Sequence, residues 1–166
     1  MRKQKGFTLV EMLVVIAIIA ILAGAVLLAI NPAATMRKSR DTTRMNDLDS
    51  LRNAINIALT EGEIELIDAT GNSGPGATQA ADGTGWVSYT KIPADGPGLT
   101  RYIPALPLDP TNTGDNVYYF ASEAADQTFE LNAVLEFDGN ADKMANDGGN
   151  DDTRYEVGTR LNIISP

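Results

Sequence analysis

Apolar and polar positions fall into blocks along this chain. Residues 12–30 carry no charge and no strongly polar side chain, and Glu11 stands alone inside a longer apolar stretch, residues 7–30. A helix crossing a bilayer needs about 20 apolar residues, and this block is long enough. Asn31-Pro32 breaks the run, because proline inside a helix removes a hydrogen bond and kinks the chain. Residues 33–61 then read as an amphipathic helix. Met45, Leu48, Leu51, Ile55 and Leu59 recur at steps of three and four, giving one stripe to pack on a head. Asp41, Arg44, Asp47 and Arg52 lie mostly off that stripe, and Gly62 is the stop signal.

Past Gly62 the period shortens. Residues 68–85 are small, polar and glycine-rich, and predict a mobile surface loop. Residues 86–92 predict a short strand. Residues 102–110 hold three prolines and predict an extended connection over the core. Residues 117–122 and 128–136 read as two antiparallel strands, with Phe129, Leu131, Ala133 and Leu135 alternating on the inner face. A short helix is expected over 138–146 and one more strand within 154–164.

Composition sharpens this. The chain has 166 residues, 13 Lys plus Arg against 22 Asp plus Glu, and neither Cys nor His. Disulfides, thiolate nucleophiles, Ser–His–Asp triads and imidazole-bound metals are thereby excluded. Residues 53–166 hold 5 basic and 18 acidic residues, so the acidity lives in the head. No nucleic-acid partner is expected, because such partners call for a basic footprint. No pair of carboxylates is singled out by spacing, so the chain is not expected to be an enzyme.

Three readings compete for the apolar block: a cleaved secretory signal, a membrane anchor and a buried core helix. A secretory signal is shorter and ends at a small-residue cleavage site. A core helix apolar on all sides is unusual at this chain length. The anchor is favoured, and Arg2, Lys3 and Lys5 before it keep the N-terminus cytoplasmic and the head exported. Glu11 is then costly in hydrocarbon: it either sits at the interface and snorkels or calls for a cation from another subunit. Arg37, Lys38, Arg40 and Arg44 follow the block. They read as a solvated juxtamembrane turn, or as contacts with anionic lipid heads or acidic neighbouring subunits.

Lys5-Gly6-Phe7-Thr8-Leu9-Val10-Glu11 ahead of a long apolar run resembles the class III signal of type IV prepilins and pseudopilins. The resemblance implies a leader, residues 1–6, cut by a prepilin peptidase between Gly6 and Phe7, with methylation of the new terminus. It further implies a transmembrane and polymerisation helix over 7–30, an amphipathic continuation over 31–61 and a β-rich head over 62–166. The expected class is α+β, a pilin fold whose long bent helix packs on a small antiparallel sheet. The implied partners are further copies of the chain in a helical filament, the peptidase, the inner-membrane platform protein of the assembly machine, minor pilins and, before assembly, membrane lipid. Glu11 would pair with the Phe7 ammonium of a neighbour and set the stagger of the helices. The alternative role is a minor pilin that binds a ligand or primes the filament tip. The implied location is the cell membrane in single pass, then an extracellular or periplasmic filament.

Leu106-Pro107-Leu108-Asp109-Pro110, with Asn112, Gly114 and Tyr118-Tyr119-Phe120, is similar to the head of major pseudopilins, although Thr111 stands where a Trp often follows Asp-Pro. Those proteins bind calcium in a C-terminal loop. Here Asp147, Asn150, Asp151 and Asp152 lie on a glycine-rich turn, which reads either as a solvated acidic loop or as a calcium site. The ligand spacing of an EF-hand is missing.

Overall fold

The computed structural model describes residues 6–165, and the side chains of 27–30 are outside the description. Of residues 1–6, the expected leader, only Gly6 falls among the described residues. The chain divides into two compact units, Met1–Arg37 and Lys38–Pro166.

The first unit holds helix α1 (Leu9–Ile30). Its window Leu9–Val26 is long and apolar enough to cross a membrane, and none of it is buried in the molecule. At 1.5 Å per residue, 22 residues span roughly 33 Å, close to the hydrocarbon thickness. Asn31 closes α1 in the left-handed region (φ 44°). Helix α2 (Pro32–Thr60) starts at once, with the proline at a position where its missing N–H costs nothing. The expected interruption at Asn31-Pro32 is present.

The second unit is an α+β head built on α2 from Lys38 onward. Gly62, at φ 68°, ends the helix in a conformation that favours glycine. Strands β1 (Ile64–Leu66) and β3 (Tyr89–Lys91) form a two-stranded antiparallel sheet. A four-stranded antiparallel sheet has the order β2 (Ala69–Asn72), β4 (Tyr119–Glu123), β5 (Thr128–Ala133) and β6 (Tyr155–Gly158). Within it Phe120 pairs with Leu131, and Leu131 with Val157, which fixes the inner face. Leu48, Leu51 and Ile55 of α2 join Phe120, Phe129, Leu131 and Trp86 in one core. Each such side chain contributes about 1.5–3 kcal/mol of burial. The long apolar helix, second helix and small antiparallel sheets are consistent with the pilin fold.

The two sheets meet at Gln127, whose side chain imitates a peptide group. Its Oε1 accepts from Leu66 N at 2.8 Å, and its Nε2 donates to Leu66 O at 3.0 Å. The edge of β1 is thereby blunted rather than left open to another strand.

Three expectations need correction. Residues 68–85 are not simply a mobile loop: β2 lies within them and pairs with β4, Ser73 is fully buried, and Ala81 is in the core. Glycine is needed there for close approach, since a Cβ on Gly71 would run into the carbonyl oxygen of Trp86. Second, the stripe of α2 is displaced. Asp41 and Arg44 are wholly buried, while Met45 and Leu59 are only half-buried. Third, Arg44 is wholly buried and Arg40 half-buried, both paired within the head. Arg44 donates to Asp109 through Nε (2.6 Å) and Nη2 (2.9 Å), to Asp41 through Nη1 (2.9 Å) and to Glu136 through Nη2 (2.9 Å). Arg40 pairs with the second oxygen of Glu136.

The remaining elements shift only at their ends. The strand expected over 86–92 narrows to β3, that over 117–122 starts at Tyr119, and β5 stops at Ala133. The helix expected over 138–146 is a 3-10 turn (Asp138–Asn140) followed by α3 (Ala141–Ala145). Strand β1 was not foreseen, because three residues are too few to show a period.

Candidate processing and assembly segment

Thr8 is the N-cap of α1 and forms a capping box with Glu11. Glu11 Oε2 accepts from Thr8 N at 2.8 Å and from Thr8 Oγ1 at 2.7 Å, and Glu11 N donates to Thr8 Oγ1 at 3.3 Å. This reciprocal arrangement satisfies donors that a helix start leaves unpaired. The sequence carries its signature, Thr8-x-x-Glu11, within the stretch already singled out for the carboxylate. Glu11 is thus a cap residue as well as a carboxylate in an apolar stretch.

The box fixes where the helix begins. Gly6 and Phe7 precede the cap, are not helical and are exposed, Phe7 to 80%. The bond between them lies outside the hydrogen-bonded helix. A protease needs such backbone, because a helical peptide bond has its donors and acceptors engaged. A Cβ built on Gly6 meets none of the described residues within 4 Å, so their packing does not demand glycine there.

Beyond the cap, Leu9, Ile16, Ile18, Ile19, Ile21 and Leu22 are all more than half exposed. A contiguous apolar surface of this extent needs a covering of lipid or of other helices. Glu11 sits at its end with one oxygen holding the cap.

The residues proposed for calcium lie in one loop and make hydrogen bonds within it. Asp147 Oδ1 accepts from Gly149 N (2.9 Å) and Oδ2 from Glu156 N (2.8 Å). Asp151 Oδ1 accepts from Thr153 N (2.9 Å) and Thr153 Oγ1 (2.5 Å). Asn150, with its amide oriented to satisfy its neighbours, donates to Glu156 Oε1 and Leu161 O. Asp152 is exposed. Among the described residues no three acidic side chains converge as a metal-holding group.

The loop instead surrounds a buried carboxyl that the sequence did not single out. Glu156 is 2% exposed. Burial, then the hydrogen-bonded Glu130 carboxyl beside it and the charge of Asp147, raise its pKa to about 7, against an opposing hydrogen bond from Asp151 N. Glu130 in turn accepts from Ile163 N (2.8 Å) and Ile164 N (3.0 Å), which ties the C-terminal tail to the sheet. A folded-state pKa above the unfolded value means that the folded state binds more protons. Stability is then highest below about pH 4.5 for this group and falls as pH rises to 7. The full loss corresponds to at most about 3 kcal/mol. Asp47 is raised by burial and acts in the same direction, so the contribution of Glu156 has to be read as a difference. Glu156→Gln is expected to narrow the gap in unfolding free energy between pH 5 and pH 8, followed by Trp86 fluorescence in denaturant. An unchanged gap would remove Glu156 from the account.

A helix apolar on every side, capped by a threonine–glutamate box and uncovered in the molecule, fits a single-pass membrane anchor. Residues 1–27 match the family model described as the prokaryotic N-terminal methylation motif. That motif is the class III signal of type IV pilins and pseudopilins. No curated protein and no solved structure matches the chain.

Proposed function

We propose that this chain is a structural subunit that polymerises into a type IV pilus or pseudopilus after a prepilin peptidase cuts between Gly6 and Phe7. The observation that carries the reading is the methylation motif set directly on α1, an uncovered apolar helix with one carboxylate at its head. Before assembly, lipid covers α1, with the N-terminus cytoplasmic and the head exported. In the filament, the helices of other copies replace the lipid. Cutting removes Arg2, Lys3 and Lys5, and frees the ammonium of Phe7 four residues from Glu11. The chain works as a building block, and no catalytic role enters the proposal. A minor, tip-located role is separated from this one by stoichiometry along the filament.

Processing is tested by co-expression with a prepilin peptidase. The wild-type chain is expected to begin at Phe7. Gly6→Leu is expected to accumulate uncut in the membrane rather than to misfold, since a Cβ on Gly6 meets none of the described residues within 4 Å. Cleavage elsewhere, or equal cleavage of the variant, would contradict the assignment.

A further inference from the structure

Charge in this acidic chain is segregated. Between Glu11 and Asp41 there is no carboxylate at all, although the chain carries 22. That acid-free interval contains the apolar run and then Met36, Arg37, Lys38 and Arg40. The head employs its arginines internally: Arg40, Arg44, Arg52, Arg101, Arg154 and Arg160 each meet a carboxylate. Arg37 is the one arginine among the described residues with no such pair, and Lys38 beside it has none either. Both are exposed, and Met36 next to them is 61% exposed.

We propose that Met36, Arg37 and Lys38 form an interfacial lipid contact, seated on the anionic headgroups of the membrane that holds α1. The proposal rests on α1 being a membrane span, as in the function proposed above. Met36 lies six residues beyond Ile30, and from Pro32 to Met36, past the break at Asn31, α2 rises roughly 6 Å. The headgroup layer adds about 5–8 Å to each side of the hydrocarbon. Long basic side chains reach back toward that layer while their stems cover apolar surface. An exposed apolar side chain flanked by cations is the chemistry of a membrane interface, where the methionine enters the headgroup boundary and the cations meet phosphate. An acidic protein surface would satisfy the cations but gives no reason for the exposed methionine. The missing carboxylates fit the same partner, because an acid here would be repelled by the anionic surface. On the exported side these cations oppose the orientation that the leader sets. Contact with lipid gives them a use that outweighs this.

The test uses the full chain in lipid nanodiscs. With no native cysteine, Ser39→Cys and Ile18→Cys each take a single nitroxide label. The Ile18 label reports whether α1 lies in hydrocarbon. The Ser39 label is expected to be shielded from a water-soluble relaxation agent in discs containing phosphatidylglycerol, and free in discs of phosphatidylcholine alone. High salt is expected to free it. Arg37→Gln and Lys38→Gln are each expected to lower the ratio of shielded to free label about fivefold. If the Ile18 label is not in hydrocarbon, the anchor fails and this proposal falls with it. If it is in hydrocarbon but the Ser39 label does not distinguish the two lipids, the lipid contact alone is overturned. Shielding that appears in phosphatidylcholine as copies per disc increase would overturn it in favour of an acidic neighbouring head.

Discussion

Arg44→Ala is expected to destabilise the head by about 3–5 kcal/mol, the cost of removing one partner from a buried ion pair. The guanidinium is wholly buried and holds together segments far apart in the chain. Asp109 accepts two of its donors, Asp41 lies one turn back on α2, and Glu136 follows β5. Each carboxylate has its own structural task. Asp41 accepts from the backbone N–H of Glu136 and Phe137, both at 2.9 Å, and from Asn140 Nδ2 at 2.8 Å. Asp109 accepts from Thr111 N at 2.7 Å and Asn112 N at 3.2 Å. Without Arg44, these negative groups face one another in a poorly hydrated site. Burial pushes the Glu136 carboxyl up, but the hydrogen bonds from Arg40 and Arg44 outweigh it and hold the pKa at about 2. The depressed value contributes stability that is present above about pH 4.5 and lost as pH falls toward 2. In the variant this contribution shrinks, so acidification from pH 7 to 4 is expected to cost it less than wild type. Arg44→Lys is not expected to rescue, because one ammonium cannot reproduce the fork on Asp109. Melting of the full chain in detergent, followed by the single core tryptophan Trp86, is expected to fall by roughly 10–20 °C. A loss below about 1 kcal/mol would show that the network is not what joins α2 to the sheet.

The second large effect is on assembly. Glu11→Ala is expected to be inserted and cut but to enter filaments at least about thirtyfold less, the lower end of what truncating a buried charge pair costs at an interface. The structure gives Glu11 one task, the cap, and the proposed filament a second, and a pair of variants separates them. The capping box is worth about 1 kcal/mol, which is small against a 22-residue helix held in lipid. Glu11→Gln keeps an oxygen to accept from Thr8 but removes the charge. If the cap were the whole role, Gln would assemble normally and Ala would be mildly impaired. The account predicts that Gln fails nearly as badly as Ala, because the Phe7 ammonium of a neighbour needs a carboxylate. Quantifying the chain in sheared filaments against the membrane fraction decides between them.

How much of this was legible in the sequence follows from the length scale of each signal. The membrane helix, its break at Asn31-Pro32 and the stop at Gly62 depend on neighbouring residues, and all three are where the pattern placed them. The pairing of β4 with β5 was also readable, since a short turn joins two alternating runs. What escaped depends on partners distant in sequence. Asp41 and Arg44 look like solvent-facing charges until Asp109 and Glu136 arrive from 65 and 92 residues beyond Arg44. Continuing the buried stripe backward from Leu48 by four and seven residues lands on Arg44 and Asp41, so the geometry was available but the residue types hid it. Strand β2 was missed for a related reason. Its sequence, ATGN, has little strand propensity apart from Thr70, and its place is set by the backbones of Phe120 and Trp86 closing around Gly71. At the candidate site, Gly6, Phe7 and Glu11 were named from the motif, while the role of Thr8 as cap partner was not.

The central claim is that this chain, cut at Gly6, is the repeating unit of a filament. Intact mass spectrometry of filaments sheared from cells carrying the assembly machinery tests it most directly. The account predicts that the dominant protein is residues 7–166, one methyl group heavier than the bare sequence. Finding the chain with residues 1–6 still attached, or finding it only in the membrane and absent from the filaments, would contradict it.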